Sequence, residues 1–122
     1  NAIKYRHSDR GLRMEIGSRH ESGEWVMWVK DNGIGIAPEH HQRIFLLFQR
    51  LHSRTKSSGT GMGLALCKKI VERHGGKLWV ESREDEGATF YFSFPASLVS
   101  EGNNVTAEGS VESEVIPVTQ CA

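Results

Sequence analysis

Two glycine clusters constrain the fold of this chain more than any other feature. Asp31-Asn32-Gly33-Ile34-Gly35-Ile36 follows a strand-like run, and Gly59-Thr60-Gly61-Met62-Gly63-Leu64 precedes a helix-like one. Glycine lets the backbone take positive φ and approach a ligand with no Cβ in the way. Ahead of a helix, the second cluster leaves unpaired N–H groups at the positive end of the helix dipole, a setting that suits an anion such as a phosphate. Neither cluster is a common nucleotide motif. A P-loop needs Lys and then Ser or Thr after its last glycine, whereas Gly63 is followed by Leu64. A dinucleotide fingerprint needs a third glycine three residues after the second, where Leu64 stands after Gly61, and a strand rather than a loop ahead of it.

The remaining pattern sets these clusters among short elements. Leu12, Met14 and Ile16 alternate with Arg13, Glu15 and Gly17, and beyond the turn-rich Glu21-Ser22-Gly23-Glu24 comes the stiff run Trp25 to Lys30, which predicts a β-hairpin. Pro38 suits the first turn of a helix carrying Ile44, Phe45, Phe48 and Leu51, ending near Leu51. Residues 52–60 lack periodicity and read as a mobile loop. Leu64, Cys67, Ile70, Val71 and His74 recur at helical spacing and stop at Gly75-Gly76. Leu78 and Val80, then Ala88, Phe90, Phe92 and Phe94, alternate with polar or amphipathic residues around Asp85-Glu86-Gly87, predicting a second hairpin that Pro95 stops. Residues 97–122 are rich in Ser, Gly, Asn, Thr and Glu and are expected to be a flexible acidic tail or linker.

A length of 122 residues with 38% hydrophobic content allows one packed domain. The longest apolar run, Ile44 to Phe48, is far short of the roughly 18 residues a membrane helix needs. Cys67 and Cys121 make no disulfide framework and no leader is visible, so a reducing cytosol is expected. The abrupt start at Asn1, without an initiator methionine, reads as a cut from something longer. The formal net charge of +0 hides a split: residues 1–96 hold 15 basic against 11 acidic side chains, a balance of +4, and residues 97–122 hold four glutamates, −4. This argues against a general polyanion binder and makes local charge the relevant quantity for an anionic ligand.

Taken together, Asn1-Ala2-x-Lys4-Tyr5, Asp31-x-Gly33-x-Gly35, Ile44-Phe45-x-x-Phe48-x-Arg50 and Gly59-Thr60-Gly61-x-Gly63-Leu64 resemble the N, G1, F and G2 boxes of bacterial sensor histidine kinases, in order. Ile70-Val71-Glu72-x-His74-Gly75-Gly76 and Gly87-Ala88-Thr89-Phe90 fit the same kinases, and the likeness runs from Asn1 to about Pro95. The stretches 48–54 and 67–76 are most similar to kinase modules of phytochrome-like photoreceptors. The superfamily also holds DNA gyrase and the mismatch-repair ATPases.

The resemblance implies a Bergerat-type α/β (α+β) two-layer sandwich: a mixed, mostly antiparallel sheet with helices on one face. Residues 1–96 would form the catalytic ATP-binding domain from the N box onward. Members of the family begin this domain with a strand and a helix that this sequence does not show, so the sandwich is expected to be incomplete, with an apolar strip exposed. The cofactors implied are ATP and Mg²⁺. Asp31 is the implied adenine reader, because a carboxylate accepts from the exocyclic amine whereas guanine presents a carbonyl oxygen there; two buried acceptors face to face cost about 1–3 kcal/mol or more. Thr89 is implied to help hold the ring. Asn1 would offer a neutral oxygen to Mg²⁺, an ion that takes few protein ligands. Lys4 would offset phosphate charge and Tyr5 would cover a face of the base, with Gly33, Gly35 and Ile36 alongside. Arg50, and less directly Arg54 and Lys56, would reach the phosphates, and Gly59, Thr60, Gly61, Met62, Gly63 and Leu64 would close over ATP as a lid.

Plainer readings cover other residues. Phe45 and Phe48 fit core positions. Adjacent His40 and His41 point in different directions on a helix and read as surface residues rather than metal ligands. His74 reads as a dipole partner at a helix C-terminus, Lys68, Lys69 and Arg73 as a solvated face without nucleic-acid binding, and Cys67 as a buried thiol. None of the six histidines has the Ser-His-Glu type setting of the family's phosphoacceptor. The expected function is to bind Mg-ATP and supply the γ-phosphoryl for histidine autophosphorylation in a two-component system, with no nucleophile in this chain. The implied partners are the dimerisation and phosphoacceptor histidine domain of the same, homodimeric protein and a response regulator, on the cytoplasmic side, with any membrane anchor outside this chain. The alternatives are a docking module without turnover and a related gyrase-like ATPase, whose general-base glutamate would lie four residues before Asn1.

Overall fold

The computed structural model describes residues 1–46 and 61–98 and the backbone of residues 112–116. Strands β1 (Met14–Glu21) and β2 (Glu24–Asp31) form the first hairpin. It turns on Ser22 and Gly23, both at positive φ (50° and 76°), the backbone handedness that matches the twist of a two-residue hairpin turn. Strands β3 (Leu78–Arg83) and β4 (Gly87–Pro95) form the second. Strand β4 also pairs with β2, and Glu112–Ile116 forms β5 on the outer edge of β1. The strand order is β3-β4-β2-β1-β5, and every pairing is antiparallel.

Helix α1 (Gly63–Arg73) crosses β3 and β4 on one face. It ends as Gly75-Gly76 predicts. Gly75 takes φ +77°, its N–H donates to the Glu72 carbonyl at 3.0 Å, and the Gly76 N–H donates to Val71 at 3.0 Å, which satisfies the last carbonyls. His74 Nδ1 lies 2.7 Å from the Ile70 carbonyl. The core under this layer is Ile44, Val80 and Ala88, with Ile36, Phe45, Leu64 and Phe90 packed against it.

The opposite sheet face carries a transverse row set by register: Gly17 faces Trp28, Trp28 faces Tyr91, and Tyr91 faces Trp79. Trp79 and Tyr91 stack with centroids 5.2 Å apart and planes 9° from parallel. The Trp28 indole lies across Gly17, so that any Cβ there would overlap it, and the Arg19 guanidinium sits 5.7 Å from the Trp28 ring centroid.

Three expectations change. Over its described part, residues 38–46, the helix expected from Pro38 to Leu51 is instead a pair of 3-10 turns, Pro38–His40 and Arg43–Phe45, and Leu46 is extended at ψ 145°. Ile44 and Phe45 suffice to anchor this segment to the sheet, Phe45 edge-on to Phe90 with centroids 6.5 Å apart. The weak helix formers His40 and His41 do little to extend the turns. Phe48 and Leu51 lie outside the described residues. Cys67 is exposed rather than buried, because the buried arc of α1 runs only between Val71 and Ala65, and Cys67, one turn before Val71, falls just outside it. Of the expected tail, residues 97–98 complete a 3-10 turn begun at Ala96, and Glu112–Ile116 adds a strand, since the free edge of β1 offers a row of unpaired backbone groups. The expected apolar strip is present on α1: Met62, Leu66 and Ile70, four residues apart, are 41%, 58% and 47% exposed.

Candidate nucleotide site

Asp31 ends β2, and the chain then leaves the sheet through Asn32, Gly33, Ile34 and Gly35. One carboxylate oxygen of Asp31 accepts from the Gly33 N–H at 2.8 Å and from the Ala88 N–H at 3.3 Å. These two donors fix the carboxylate between the glycine loop and the start of β4. Its second oxygen makes no hydrogen bond among the described residues. Gly33 lies against the Tyr5 carbonyl so closely that a Cβ would collide with it, and the Ile34 N–H donates to that same carbonyl at 3.0 Å. The turn at Asn1–Tyr5, closed by a Tyr5 N–H to Asn1 carbonyl bond of 2.9 Å, is thereby docked on the loop. The Lys4 ammonium stands 5.0 Å from the Tyr5 ring centroid.

On its other side the loop meets the β3–β4 turn. Gly35, at φ +70°, faces the Arg83 carbonyl with no room for a side chain. Gly87, at φ +95°, faces the Asp31 carbonyl in the same way. The Asp85 N–H donates to Ile34 at 2.8 Å. Ser82 accepts from the Ile36 N–H at 2.8 Å and donates to the Gly87 carbonyl at 2.6 Å. Arg10 donates to the carbonyls of Asn32 (2.7 Å), Gly33 (2.9 Å) and Asp85, so one guanidinium bridges the glycine loop and the turn. The Asn32 side chain in turn accepts from the Arg13 N–H at 2.8 Å and donates to Gly11 at 2.9 Å. A cavity of about 460 Å³ opens at this end of the sheet, with Asp31, His41, Val80, Ser82, Ala88 and Thr89 in its walls.

The structure thus brings together Tyr5, Asp31, Gly33, Gly35 and Ile36. Leu64 joins them through the core, where it packs with Ile36 around Ile44, Val80 and Ala88. Gly61 takes φ +71°, and α1 starts at Gly63 without a side-chain cap, so its first N–H groups remain available. Thr89 lines the cavity but pairs with Lys30 and Glu81, so its side chain projects on the sheet face they share. The neighbour that touches the Asp31 carboxylate is Ala88, through its backbone. Asn1 is exposed at the rim of its turn. Arg50, Arg54, Lys56, Gly59 and Thr60 lie outside the described residues. Among the described residues no group of three or more His, Cys, Asp and Glu side chains is arranged to hold a metal. Sequence reasoning missed Arg10, Ser82, Ala88 and His41. Only Ser82 carried a signal, a hydroxyl two residues beyond buried Val80 on the same strand face.

The family model described as histidine kinase-, DNA gyrase B-, and HSP90-like ATPase matches residues 1–98. Cyanobacterial phytochrome A of Nostoc sp. is 56% identical over 95 residues, covering 78% of this chain and 12% of the phytochrome. Among solved structures, a mycobacterial sensor histidine kinase, MprB, superposes with a TM-score of 0.67 at 29% identity, over 78% of this chain and 64% of that one. Full-length ShkA in complex with AMPPNP superposes with a TM-score of 0.65 at 30% identity, over 78% of this chain and 19% of that one. The chain therefore spans only a small part of the length of the phytochrome it matches.

Proposed function

Because this chain belongs to the histidine kinase-, DNA gyrase B-, and HSP90-like ATPases, we propose that it binds Mg-ATP and presents the γ-phosphoryl group to a histidine on another domain of a two-component sensor kinase. The observation that carries this reading is the Asp31 carboxylate, held by two backbone N–H groups at the wall of a cavity of about 460 Å³. Those donors occupy one oxygen, and the other is free to accept from an exocyclic amine. The adenine amine fits that acceptor, and guanine, with a carbonyl at the same place, does not. The reading is further supported by the AMPPNP bound to ShkA.

Tyr5 and Ile36 would flank the base; Thr89 lines the same cavity, but its side chain projects on the sheet face opposite the Asp31 carboxylate, so the contact from the adjoining strand falls to Ala88. Lys4, with Arg50, would offset phosphate charge, and the segment from Gly59 to Leu64 would close over the nucleotide ahead of α1. Asn1 would give Mg²⁺ a neutral oxygen, in keeping with an ion that keeps most of its shell for water and phosphate. The ion, when bound, neutralises phosphate charge. Transfer then rests on positioning and charge offset, with the attacking nitrogen supplied by a phosphoacceptor domain and the phosphoryl passed on to an aspartate of a response regulator. Among the described residues no helix is long and apolar enough to cross a membrane. A cytoplasmic placement and a homodimeric parent belong to this proposal.

Isothermal titration of the chain with Mg-ATP and Mg-GTP tests it. Asp31→Asn is expected to weaken ATP by about 1–3 kcal/mol, roughly 5- to 150-fold. Equal affinities in the two proteins, or tighter GTP than ATP, would sink the adenine assignment. The exposed strip of Met62, Leu66 and Ile70 favours a second reading, a docking module without turnover. Labelled phosphohistidine formed on a helical-hairpin phosphoacceptor domain supplied in trans excludes that reading.

A further inference from the structure

The hydroxyl of Ser82 occupies a place that the chemistry above leaves unexplained. It accepts from the Ile36 N–H at 2.8 Å, at the far end of the glycine loop, and donates to the Gly87 carbonyl at 2.6 Å, at the start of β4. These two segments supply the donors that hold Asp31: Gly33 lies in the loop, and Ala88 follows Gly87. Backbone contacts flank both segments: Gly87 abuts the Asp31 carbonyl at the end of β2, and Gly35 abuts the Arg83 carbonyl at the end of β3. Their spacing is therefore set from both ends of the Asp31 pair. Ser82 is partly buried and shares the cavity wall with Asp31 and Ala88.

We infer that Ser82 is a positioning residue for the adenine end of the site, acting through the backbone of Ile36 and Gly87 to hold the Asp31 carboxylate in its receiving orientation. This rests on the nucleotide reading above for its ligand, but the geometry it asserts exists without one. A hydroxyl is needed because the same atom must accept on one side and donate on the other. Alanine leaves the Ile36 N–H and the Gly87 carbonyl without a partner and frees the loop to shift against β4. The effect is expected at the base and not at the phosphates, which the proposed function assigns to Lys4, Arg50 and the segment ahead of α1.

The test uses the full 122-residue chain as wild type, Ser82→Ala, Ser82→Thr and Ser82→Cys, titrated with Mg-ATP and with magnesium tripolyphosphate, alongside amide hydrogen exchange without ligand. Ser82→Ala is expected to weaken Mg-ATP about tenfold, a loss typical of one partly buried hydrogen-bonded hydroxyl, with tripolyphosphate unchanged. Ser82→Thr keeps the hydroxyl and is expected within about twofold of wild type on the same grounds. Without ligand, the Gly33 and Ala88 amides are expected to exchange faster in Ser82→Ala, beyond the local change at Ile36. Wild-type ATP affinity in Ser82→Ala overturns the inference, as does acceleration confined to Ile36 or equal loss of ATP and tripolyphosphate. Should Ser82→Ala fail to fold, Ser82→Cys, with a weaker donor, is expected to bind ATP at intermediate affinity, and wild-type affinity in it overturns the inference. A wild type that binds no ATP overturns the nucleotide reading alone, and the exchange pattern then decides the role of Ser82.

Discussion

Asp31 and Tyr91 stand at the two sides of the same sheet and show how differently a side chain can be tied down. The Asp31 carboxylate is fixed by backbone donors, whereas the Tyr91 ring is fixed by a stacked Trp79. Burial raises the Tyr91 phenol above its ordinary value, and Glu81 adds to this through its charge and a hydrogen bond, with Arg19 opposing. A raised folded pKa means that the neutral phenol is favoured by folding. The contribution is whole below about pH 10, the unfolded value, and is lost as pH rises through the folded one. Chemical denaturation across this alkaline range should show stability falling more steeply in wild type than in Tyr91→Phe, and parallel curves would refute the assignment. At this scale the tight loop at Gly33 and Gly35 was legible, because spaced glycines mark close backbone approach and positive φ, whereas the role given to Asp31 rested on the order of the boxes. Arg10 and Ser82 were not. Their partners are backbone carbonyls and amides as far away as Asp85, and nothing in the local sequence marks such a partner.

Elements were legible where a period and a stop agreed. Both hairpins follow the alternation of their apolar residues, and α1 ends where two glycines supply its C-terminal hydrogen bonds. The stretch after Pro38 kept a helical spacing over too few residues, and packing of Ile44 and Phe45 on the sheet decided its form. Glu112–Ile116 was hidden by polar composition, because pairing to β1 is a backbone matter. Within the sheet, β1 and β2 depend on one missing side chain. Trp28 is 8% exposed because its indole lies across Gly17. Gly17→Ala should displace the ring and cost about 1–3 kcal/mol, the usual range for overpacking a filled site. Urea denaturation measures it, and a loss below about 0.5 kcal/mol, the scale of a neutral surface change, would refute the packing account.

For the molecule as a whole, the sheet is the frame and the two ends of its edge order are unequal. Strand β5 covers the β1 edge, while β3 ends the sheet on the other side. A chain ending at Leu98 should keep its core but lose protection at the β1 amides that face β5, read by hydrogen exchange, and unchanged protection would argue against that pairing. The family and its sheet-plus-helix architecture were legible from the order of the four boxes. The route by which loop and turn meet was not. That route has a kinetic meaning. Arg10 and Asp85 are 75 positions apart, yet the guanidinium of one binds the carbonyl of the other. A contact of that span forms only after the intervening chain has closed a long loop, so it comes late in folding and slowly. An intermediate holding only the first hairpin would have Asp31 without the Ala88 donor. Any ligand that reads Asp31 in its fixed orientation is therefore blind to partly folded chains, and draws the population toward the finished sheet by mass action alone.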